Sequence, residues 1–219
     1  MAREPEELAA ALAWAGGVLG EPIGTPGVAS RDEGRVTLRI ATGGTTAYLK
    51  VAAGLEAERA RLEWLGERLP APRVLGFRKG DDAGWLLTRA LPGDPLSDPV
   101  HTARPERLIA LLAAALHRIH ALDPRECPFG ARAGGRVVVH GDACLPNVLA
   151  AGEAVTGYLD VGELGLGPAE VDLAAAVWSL QYNLGPGWGA PFLAVHGWAS
   201  DADTVAALRR SYEEDAAPS

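Results

Sequence analysis

The chain has 219 residues and a formal net charge of −8, with 48% hydrophobic and 22% charged residues. This is the composition of an ordinary globular protein, and it argues against long disordered stretches. No apolar run reaches the roughly 18 residues of a membrane span. No basic cluster suits a nucleic-acid backbone either, so we expect neither membrane nor nucleic acid as a partner.

The amino terminus and the cysteines indicate the cellular compartment in which we expect the protein. The acidic first residues lack the basic-then-apolar layout of a secretion signal. Two cysteines, Cys127 and Cys144, cannot build a disulfide framework or a four-ligand zinc site. We therefore expect a reducing, cytoplasmic setting. The negative charge suits a cationic small molecule, although it also serves solubility alone.

The first third of the chain is rich in predicted strands. A helix is predicted over residues 6–15, ended by Gly16-Gly17. The following elements come next in chain order: strands at 36–40 and 46–51, a helix at 55–68, and strands at 73–77 and 84–88.

The rest of the chain is mainly helical. Apolar residues at helical spacing predict helices over residues 105–121, 171–184 and 203–213. Strands first and helices later indicate an α+β protein. We expect a small antiparallel-sheet lobe over residues 1–91 and a mainly helical lobe over residues 92–219.

The segment from His140 to Asn147 carries the strongest functional signal. Written as H-x-D-x-x-x-x-N, it is typical of a kinase catalytic loop, in which the Asp accepts the proton of the attacking hydroxyl and the Asn holds magnesium. Asp160, thirteen residues later at the end of the run Gly157-Tyr158-Leu159-Asp160, is the expected second metal ligand. Each residue alone could cap a turn, but the joint spacing favours phosphoryl transfer. We expect structural roles for His140 and Cys144.

Lys50 and Glu58 form a second pair. The chain has only two lysines against eighteen arginines, and Lys50 lies within a strand whereas Lys79 lies in a charged turn. Glu58 shares a helical stripe with three leucines, where a carboxylate is costly unless it is paired. In kinases such a Lys–Glu pair orients the nucleotide phosphates. The alternative is that both side chains lie in solvent.

Other motifs are weak. A P-loop is absent, and a phosphate-covering loop could lie at residues 30–35 or at Gly43-Gly44. The remaining histidines show no metal-ligand spacing, so core or surface positions are expected for His101, His117, His120 and His196.

These motifs resemble the aminoglycoside phosphotransferases, a family with a protein-kinase-like two-lobe fold. The resemblance is carried by residues 137–147, 157–162 and 170–174. It extends over shorter segments in the same order, at 48–50, 64–65, 69–75, 120–124 and 127–129.

The resemblance implies roles for the catalytic residues. Asp142 would be the catalytic base, and Asn147 and Asp160 would bind Mg²⁺. Lys50 and Glu58 would orient the phosphates of ATP or GTP in a nucleotide-binding amino-terminal lobe. Asp172 would brace the catalytic loop of the carboxy-terminal lobe.

It also implies binding residues. Arg89, Ala90 and Leu91 would form the hinge, where backbone groups of Arg89 and Leu91 meet the purine. Glu213, Glu214 and Asp215 would hold the ammonium groups of a small cationic acceptor.

The implied reaction transfers the γ-phosphoryl group of ATP or GTP to a hydroxyl of an aminoglycoside-type antibiotic. The alternatives are a kinase for another small metabolite or antibiotic, and an inactive nucleotide-binding relative. We expect a monomer or a weak dimer.

The chain departs from the family pattern twice. The family has a few dozen residues, largely helical, between its Cys-Pro-Phe segment and the catalytic loop, and they help to wall the acceptor pocket. Here only residues 130–139 intervene. The second departure is Glu163, where the family usually has an Arg after Asp-x-Gly.

Overall fold

A computed structural model describes residues 3–21, 24–32, 34–80, 82–130 and 132–215. The chain divides into two units, Met1–Leu91 and Pro92–Ser219.

The first unit is an antiparallel sheet with two helices. Its elements in chain order are α1 (Arg3–Leu19), β1 (Gly27–Asp32), β2 (Arg35–Ala41), β3 (Thr46–Ala52), α2 (Leu55–Gly66), β4 (Val74–Arg78) and β5 (Gly84–Arg89). The five strands lie in the order β1-β2-β3-β5-β4.

Alternating side chains of β2 and β3 build the core of this unit. Val36, Leu38 and Ile40 are buried on one face of β2, and alternate residues of β3 are buried in the same way. Since successive side chains of a strand point to opposite faces, this pattern fixes which face of the sheet is covered. Ala11 and Ala15 of α1 belong to the same core.

The predicted helix over 6–15 was too short. α1 runs to Leu19, straight through Gly16-Gly17, and the N–H of Gly20 still donates to the carbonyl of Gly16 at 3.0 Å. Packing of Ala11 and Ala15 against the sheet outweighs the weak helix propensity of the glycines. β1 was missed because all six of its residues are exposed, so it shows no apolar alternation.

The second unit contains two small sheets and most of the helices. Its elements are β6 (Asp94–Pro95), α3 (Pro99–Thr102), α4 (Pro105–His120), β7 (Val137–Val139), β8 (Val148–Ala151), β9 (Ala154–Tyr158), β10 (Gly165–Gly167), α5 (Glu170–Leu184), α6 (Gly189–His196) and α7 (Ala202–Asp215). β7 pairs with β10, and β6, β8 and β9 form a three-stranded sheet.

A buried face of α4 organises this unit. Leu108, Leu112 and Leu116 recur at helical spacing and are fully buried. The hydroxyl of Tyr158 on β9 donates to the carbonyl of Ala115 at 3.0 Å, which attaches the β8–β9 hairpin to the helix. Within the described ranges, no helix has the length and apolarity to cross a membrane.

Candidate active site

The loop between β7 and β8 is anchored by one buried carboxylate. Asp172, fully buried near the start of α5, accepts hydrogen bonds from the backbone N–H groups of His140 and Gly141, both at 2.9 Å. Its Oδ2 also lies 3.0 Å from Nε2 of His120 on α4. Three partners satisfy a charge that would otherwise be costly to bury. This is the contact expected of a residue that braces the loop.

His140 joins the loop to the segment that carries Asp160. Its Nδ1 accepts from the N–H of Asp142 at 3.3 Å, which leaves the proton on Nε2 to donate to the carbonyl of Leu159 at 3.0 Å. The N–H of Leu159 in turn donates to the carbonyl of Asn147 at 2.8 Å. Both ends of the loop are therefore bonded to the residue that precedes Asp160.

Asp142 is held in a defined orientation by Asn147. The Asn147 amide donates to the Asp142 carbonyl at 3.0 Å and to its Oδ2 at 2.9 Å. The other carboxylate oxygen, Oδ1, is buried and accepts no hydrogen bond from the described residues. A buried acceptor without a partner needs an explanation, and acceptance of a proton from a substrate hydroxyl is the explanation that the predicted role of Asp142 supplies.

Asp160 has an unusual backbone conformation. With φ 51° and ψ 51°, it is the one non-glycine residue at positive φ in the part of the chain that the structure describes. Such conformations cost free energy and occur often at functional sites. This conformation supports the prediction that Asp160 is a functional residue.

The side chains of Asn147 and Asp160 provide oxygen ligands of the kind that magnesium prefers. Asn147 uses its amide N–H on Asp142, which leaves its carbonyl oxygen, and Asp160 contributes a carboxylate. The described ranges contain no cluster of three or more His, Cys, Asp or Glu side chains placed for a metal. Magnesium is usually held by one or two carboxylates together with phosphate oxygens and water, so a two-residue donor set is sufficient.

Cys144 lies in the same loop and contacts α5 and α7. Its Sγ is 3.4 Å from the hydroxyl of Tyr212 and 3.8 Å from the carbonyl of Ala175. Burial and the nearby Asp142 carboxylate raise the pKa of the Cys144 thiol to about 12. It therefore stays protonated and is a poor nucleophile.

The Lys50–Glu58 ion pair is present in the first unit. Lys50 Nζ on β3 lies 2.6 Å from Glu58 Oε1 on α2, and the two side chains are only 14% and 10% exposed. Lys79, by contrast, pairs with Glu56 at 2.8 Å in an exposed position. The helical spacing of Glu58 thus predicted its partner correctly, whereas the alternative of two solvated side chains was wrong.

The predicted hinge begins at Arg89, the last residue of β5. The N–H of Arg89 donates to the carbonyl of Arg73 at 2.9 Å, and the N–H of Ala90 donates to the carbonyl of Thr46 at 3.0 Å. Neither N–H can therefore donate to a base, which confines the predicted purine contacts to the Arg89 carbonyl and the backbone of Leu91.

The proposed phosphate-covering positions are both turns. Residues 30–35 span the β1–β2 hairpin, where Asp32 pairs with Arg35 and Glu33 lies outside the described residues. Gly43 and Gly44 lie in the exposed turn before β3. Both assignments stay predictions.

The acidic end of α7 is only partly as expected. Glu213 Oε1 lies 2.9 Å from Arg209 Nε, one helical turn earlier, so its charge is already partly balanced. Glu214 is exposed, and the side chain of Asp215 lies outside the described residues.

Two residues of the site, Ser179 and Tyr212, carry no sequence signal, and a third, His120, is indicated only by the resemblance of residues 120–124. His120, Ser179 and Tyr212 reach the loop or its brace: Ser179 Oγ accepts from the N–H of Leu145 at 2.9 Å. The spacing of His117 and His120 could have indicated only that they share one face of a helix. The residues that His120, Ser179 and Tyr212 contact are too distant in the sequence for a local pattern to relate them.

The second departure from the family pattern has a local partner. Glu163 Oε2 lies 3.4 Å from Arg132 Nη2, in the short segment before β7. That segment is bonded along β10, since the N–H of Arg132 donates to the carbonyl of Leu166 at 2.8 Å. Within the second unit, Glu163 is thus paired with a residue of the shortened region.

Known proteins are similar to this chain over most of its length. The family model of the phosphotransferase enzyme family (APH) matches residues 28–134 and 130–209. Streptomycin 3''-kinase of Streptomyces griseus is 33% identical over 56% of this chain and 64% of its own length, so less than two thirds of that kinase is matched. An aminoglycoside 3'-phosphotransferase of Niallia circulans is 28% identical over 70% of this chain and 78% of its own.

Solved structures agree. Aminoglycoside phosphotransferase APH(3'')-Id of Streptomyces rimosus superposes with a TM-score of 0.73 at 25% identity, covering 94% of this chain and 96% of that one. An aminoglycoside 3'-phosphotransferase of type VIII gives a TM-score of 0.74 at 27% identity, covering 91% and 97%. These matches confirm the predicted α+β, protein-kinase-like fold. The chain belongs to the phosphotransferase enzyme family (APH), which includes the aminoglycoside phosphotransferases.

Proposed function

We propose that the chain transfers the γ-phosphoryl group of ATP or GTP to a hydroxyl of an aminoglycoside-type antibiotic. The observation that carries the proposal is the state of Asp142: Asn147 holds one carboxylate oxygen, and the other is buried without a partner among the described residues. A carboxylate fixed in this way can accept a proton from a bound hydroxyl at Oδ1 as the hydroxyl oxygen attacks phosphorus.

The remaining side chains position the loop and the nucleotide. Asp172 fixes the backbone on the amino-terminal side of Asp142, so the base needs little reorganisation when substrate binds. Lys50, oriented by Glu58, supplies a fixed positive charge for the α- and β-phosphates. Asn147 and Asp160 would hold Mg²⁺, which when bound neutralises charge on the phosphate oxygens.

The acceptor class is supported by relatives and by charge. The related proteins are named as kinases of streptomycin and other aminoglycosides, and one solved relative, from Streptomyces rimosus, was determined with ADP and streptomycin. The net charge of −8 and the exposed Glu214 suit a polycationic acceptor. We propose Glu213, Glu214 and Asp215 as contacts for its ammonium groups.

A panel assay tests this proposal. Purified protein is given Mg²⁺, ATP or GTP, and one of streptomycin, kanamycin, neomycin or hygromycin B, and product is identified by the mass of one added phosphoryl group. We expect at least one aminoglycoside to be phosphorylated, with ADP or GDP formed in equal amount. Absence of product with every acceptor and both nucleotides would refute the function.

A further inference from the structure

Three aromatic rings form a continuous row on α5 and α7. The rings of Trp178 and Tyr182 are stacked, with centroids 5.3 Å apart and planes 12° from parallel. The ring of Tyr212 packs on Trp178 with centroids 5.0 Å apart. Tyr182 ends the row with 76% of its surface exposed. We call Trp178, Tyr182 and Tyr212 the aromatic row.

One end of the aromatic row touches the catalytic loop. The hydroxyl of Tyr212 lies 3.4 Å from Sγ of Cys144, two residues after Asp142. Burial, the Cys144 contact and the Asp142 carboxylate all raise the pKa of Tyr212, so its hydroxyl stays protonated. The row therefore runs from the proposed base to the surface.

The face of α5 that carries the row is the face that contacts the loop. Ala175 and Ser179 touch Cys144 and Leu145. At about 100° per helical residue, Tyr182 lies within about 20° of Ala175 around the helix axis and Trp178 within about 60°. Tyr182 thus continues the loop-facing side of α5 about two turns past Ala175, and its ring is exposed there.

The acidic side chain of Glu213, next to Tyr212 in the chain, is already paired with an arginine. Arg209 pairs with Glu213 and also donates to Gln181 Oε1 at 3.1 Å, next to Tyr182 in the chain. An ammonium group approaching Glu213 must therefore compete with Arg209. Aromatic faces attract cations without such competition, and they also pack against apolar faces of other rings.

We propose that the exposed ring of Tyr182, backed by the stacked ring of Trp178, forms the acceptor platform, on which an amino sugar of the acceptor stacks, while Tyr212 fixes the platform to the catalytic loop. This inference rests on the proposed function. The acceptor that fits this platform presents ammonium groups beside a flat ring surface. The platform gives α5 a binding role additional to that of the acidic end of α7.

The test is calorimetric binding of streptomycin and kanamycin in the presence of Mg²⁺ and a non-hydrolysable ATP analogue, together with steady-state kinetics. Tyr182→Ala removes an exposed ring and should leave the fold intact. We expect it to raise the acceptor Kd and KM about tenfold, with the nucleotide Kd unchanged. Tyr182→Phe keeps the ring and should bind within about twofold of wild type.

Val195→Ala, which trims an exposed side chain on α6, is the control and should change nothing. Trp178→Leu should weaken acceptor binding at least as much as Tyr182→Ala, and its circular dichroism spectrum reports any loss of fold. A wild-type acceptor Kd in Tyr182→Ala overturns the platform even if phosphorylation proceeds. Binding that depends on Tyr182 without turnover keeps the platform and refutes the reaction, and a wild-type protein that neither binds nor phosphorylates refutes both.

Discussion

At the scale of single residues, the two lysines make an internal comparison. Lys50 forms a nearly buried ion pair with Glu58, whereas Lys79 forms an exposed pair with Glu56. The hydrogen bond from the Lys79 ammonium, together with its positive charge, lowers the pKa of the Glu56 carboxyl. Exposed pairs of this kind contribute little, whereas a phosphate-orienting lysine contributes to transition-state stabilisation.

We therefore expect Lys50→Ala to lower kcat/KM for ATP by about 10²-fold or more, a loss typical of removing one stabilising charge. Lys79→Ala, the matched control, should stay near wild type. The measurement is steady-state kinetics at varied ATP with saturating acceptor. Equal losses in the two variants would show that the ion pair of Lys50 has no special role.

His196 gives the protein a pH-dependent stability. Its ring packs on His117, with centroids 4.3 Å apart, and near His120 and Phe192. Burial, then the neighbouring His117 and His120, lower the pKa of His196 to about 4, while Asp172 opposes this shift. The folded protein thus holds His196 neutral in a range where the unfolded chain would bind a proton at this residue.

The contribution of His196 is fully present above about pH 6.5 and is lost as the pH falls towards about 4. We predict that the urea midpoint of wild type falls between pH 7 and pH 5 by more than that of His196→Leu, which cannot titrate there. Parallel pH dependences of the two proteins would contradict a lowered His196 pKa.

At this scale the sequence was informative where spacing is local. Glu58 lies eight residues from Lys50, and helical periodicity placed it on the buried stripe of its helix; Asn147 lies five residues from Asp142 within one loop motif. Tyr212 lies 68 residues from Cys144. No periodicity connects residues so distant, and only the packing of α7 on α5 brings them together.

At the scale of elements, the brace at Asp172 joins α4, α5 and the loop after β7. One carboxylate accepts from two backbone N–H groups and contacts His120. Its removal would leave buried donors without partners, and each such group costs about 1–3 kcal/mol. The brace therefore couples the stability of the second unit to the position of the proposed base.

We expect Asp172→Ala to lower the free energy of unfolding by at least about 2 kcal/mol and to lower kcat more than the nucleotide affinity. Urea unfolding and steady-state kinetics check the two effects. Asp98→Ala, which removes the helix cap on Val100, is a matched control that should cost stability without a selective loss of kcat. A stable, fully active Asp172→Ala protein would show that the loop is held by other contacts.

The elements were predictable where apolar periodicity was strong. α4 and α5 carry buried faces, and β2 and β3 alternate, so their existence was predicted correctly. α6 is short and apolar on all sides, without a distinguishing stripe, and was missed. The end of α1 was misplaced because a local helix-stop signal was outweighed by tertiary packing.

At the scale of the whole molecule, strands first and helices later predicted the fold class. The solved relatives confirm it with TM-scores of 0.73 and 0.74. The fold alone does not fix the acceptor, because the sequence resemblance implies that a region which helps to wall the acceptor pocket in the family is shortened here to residues 130–139. We therefore propose the aromatic row on α5 and α7 as a determinant of acceptor specificity.

The central claim is that Asp142 is the base of a phosphoryl transfer, and one variant tests it most directly. Asp142→Asn keeps the shape of the side chain but removes its basicity, and Asp94→Asn, an exposed residue of β6, is the control. We predict that Asp142→Asn lowers kcat about 10²- to 10⁴-fold while ATP binds within about threefold of wild type. Wild-type kcat in Asp142→Asn, under conditions where the control is also fully active, would contradict the account.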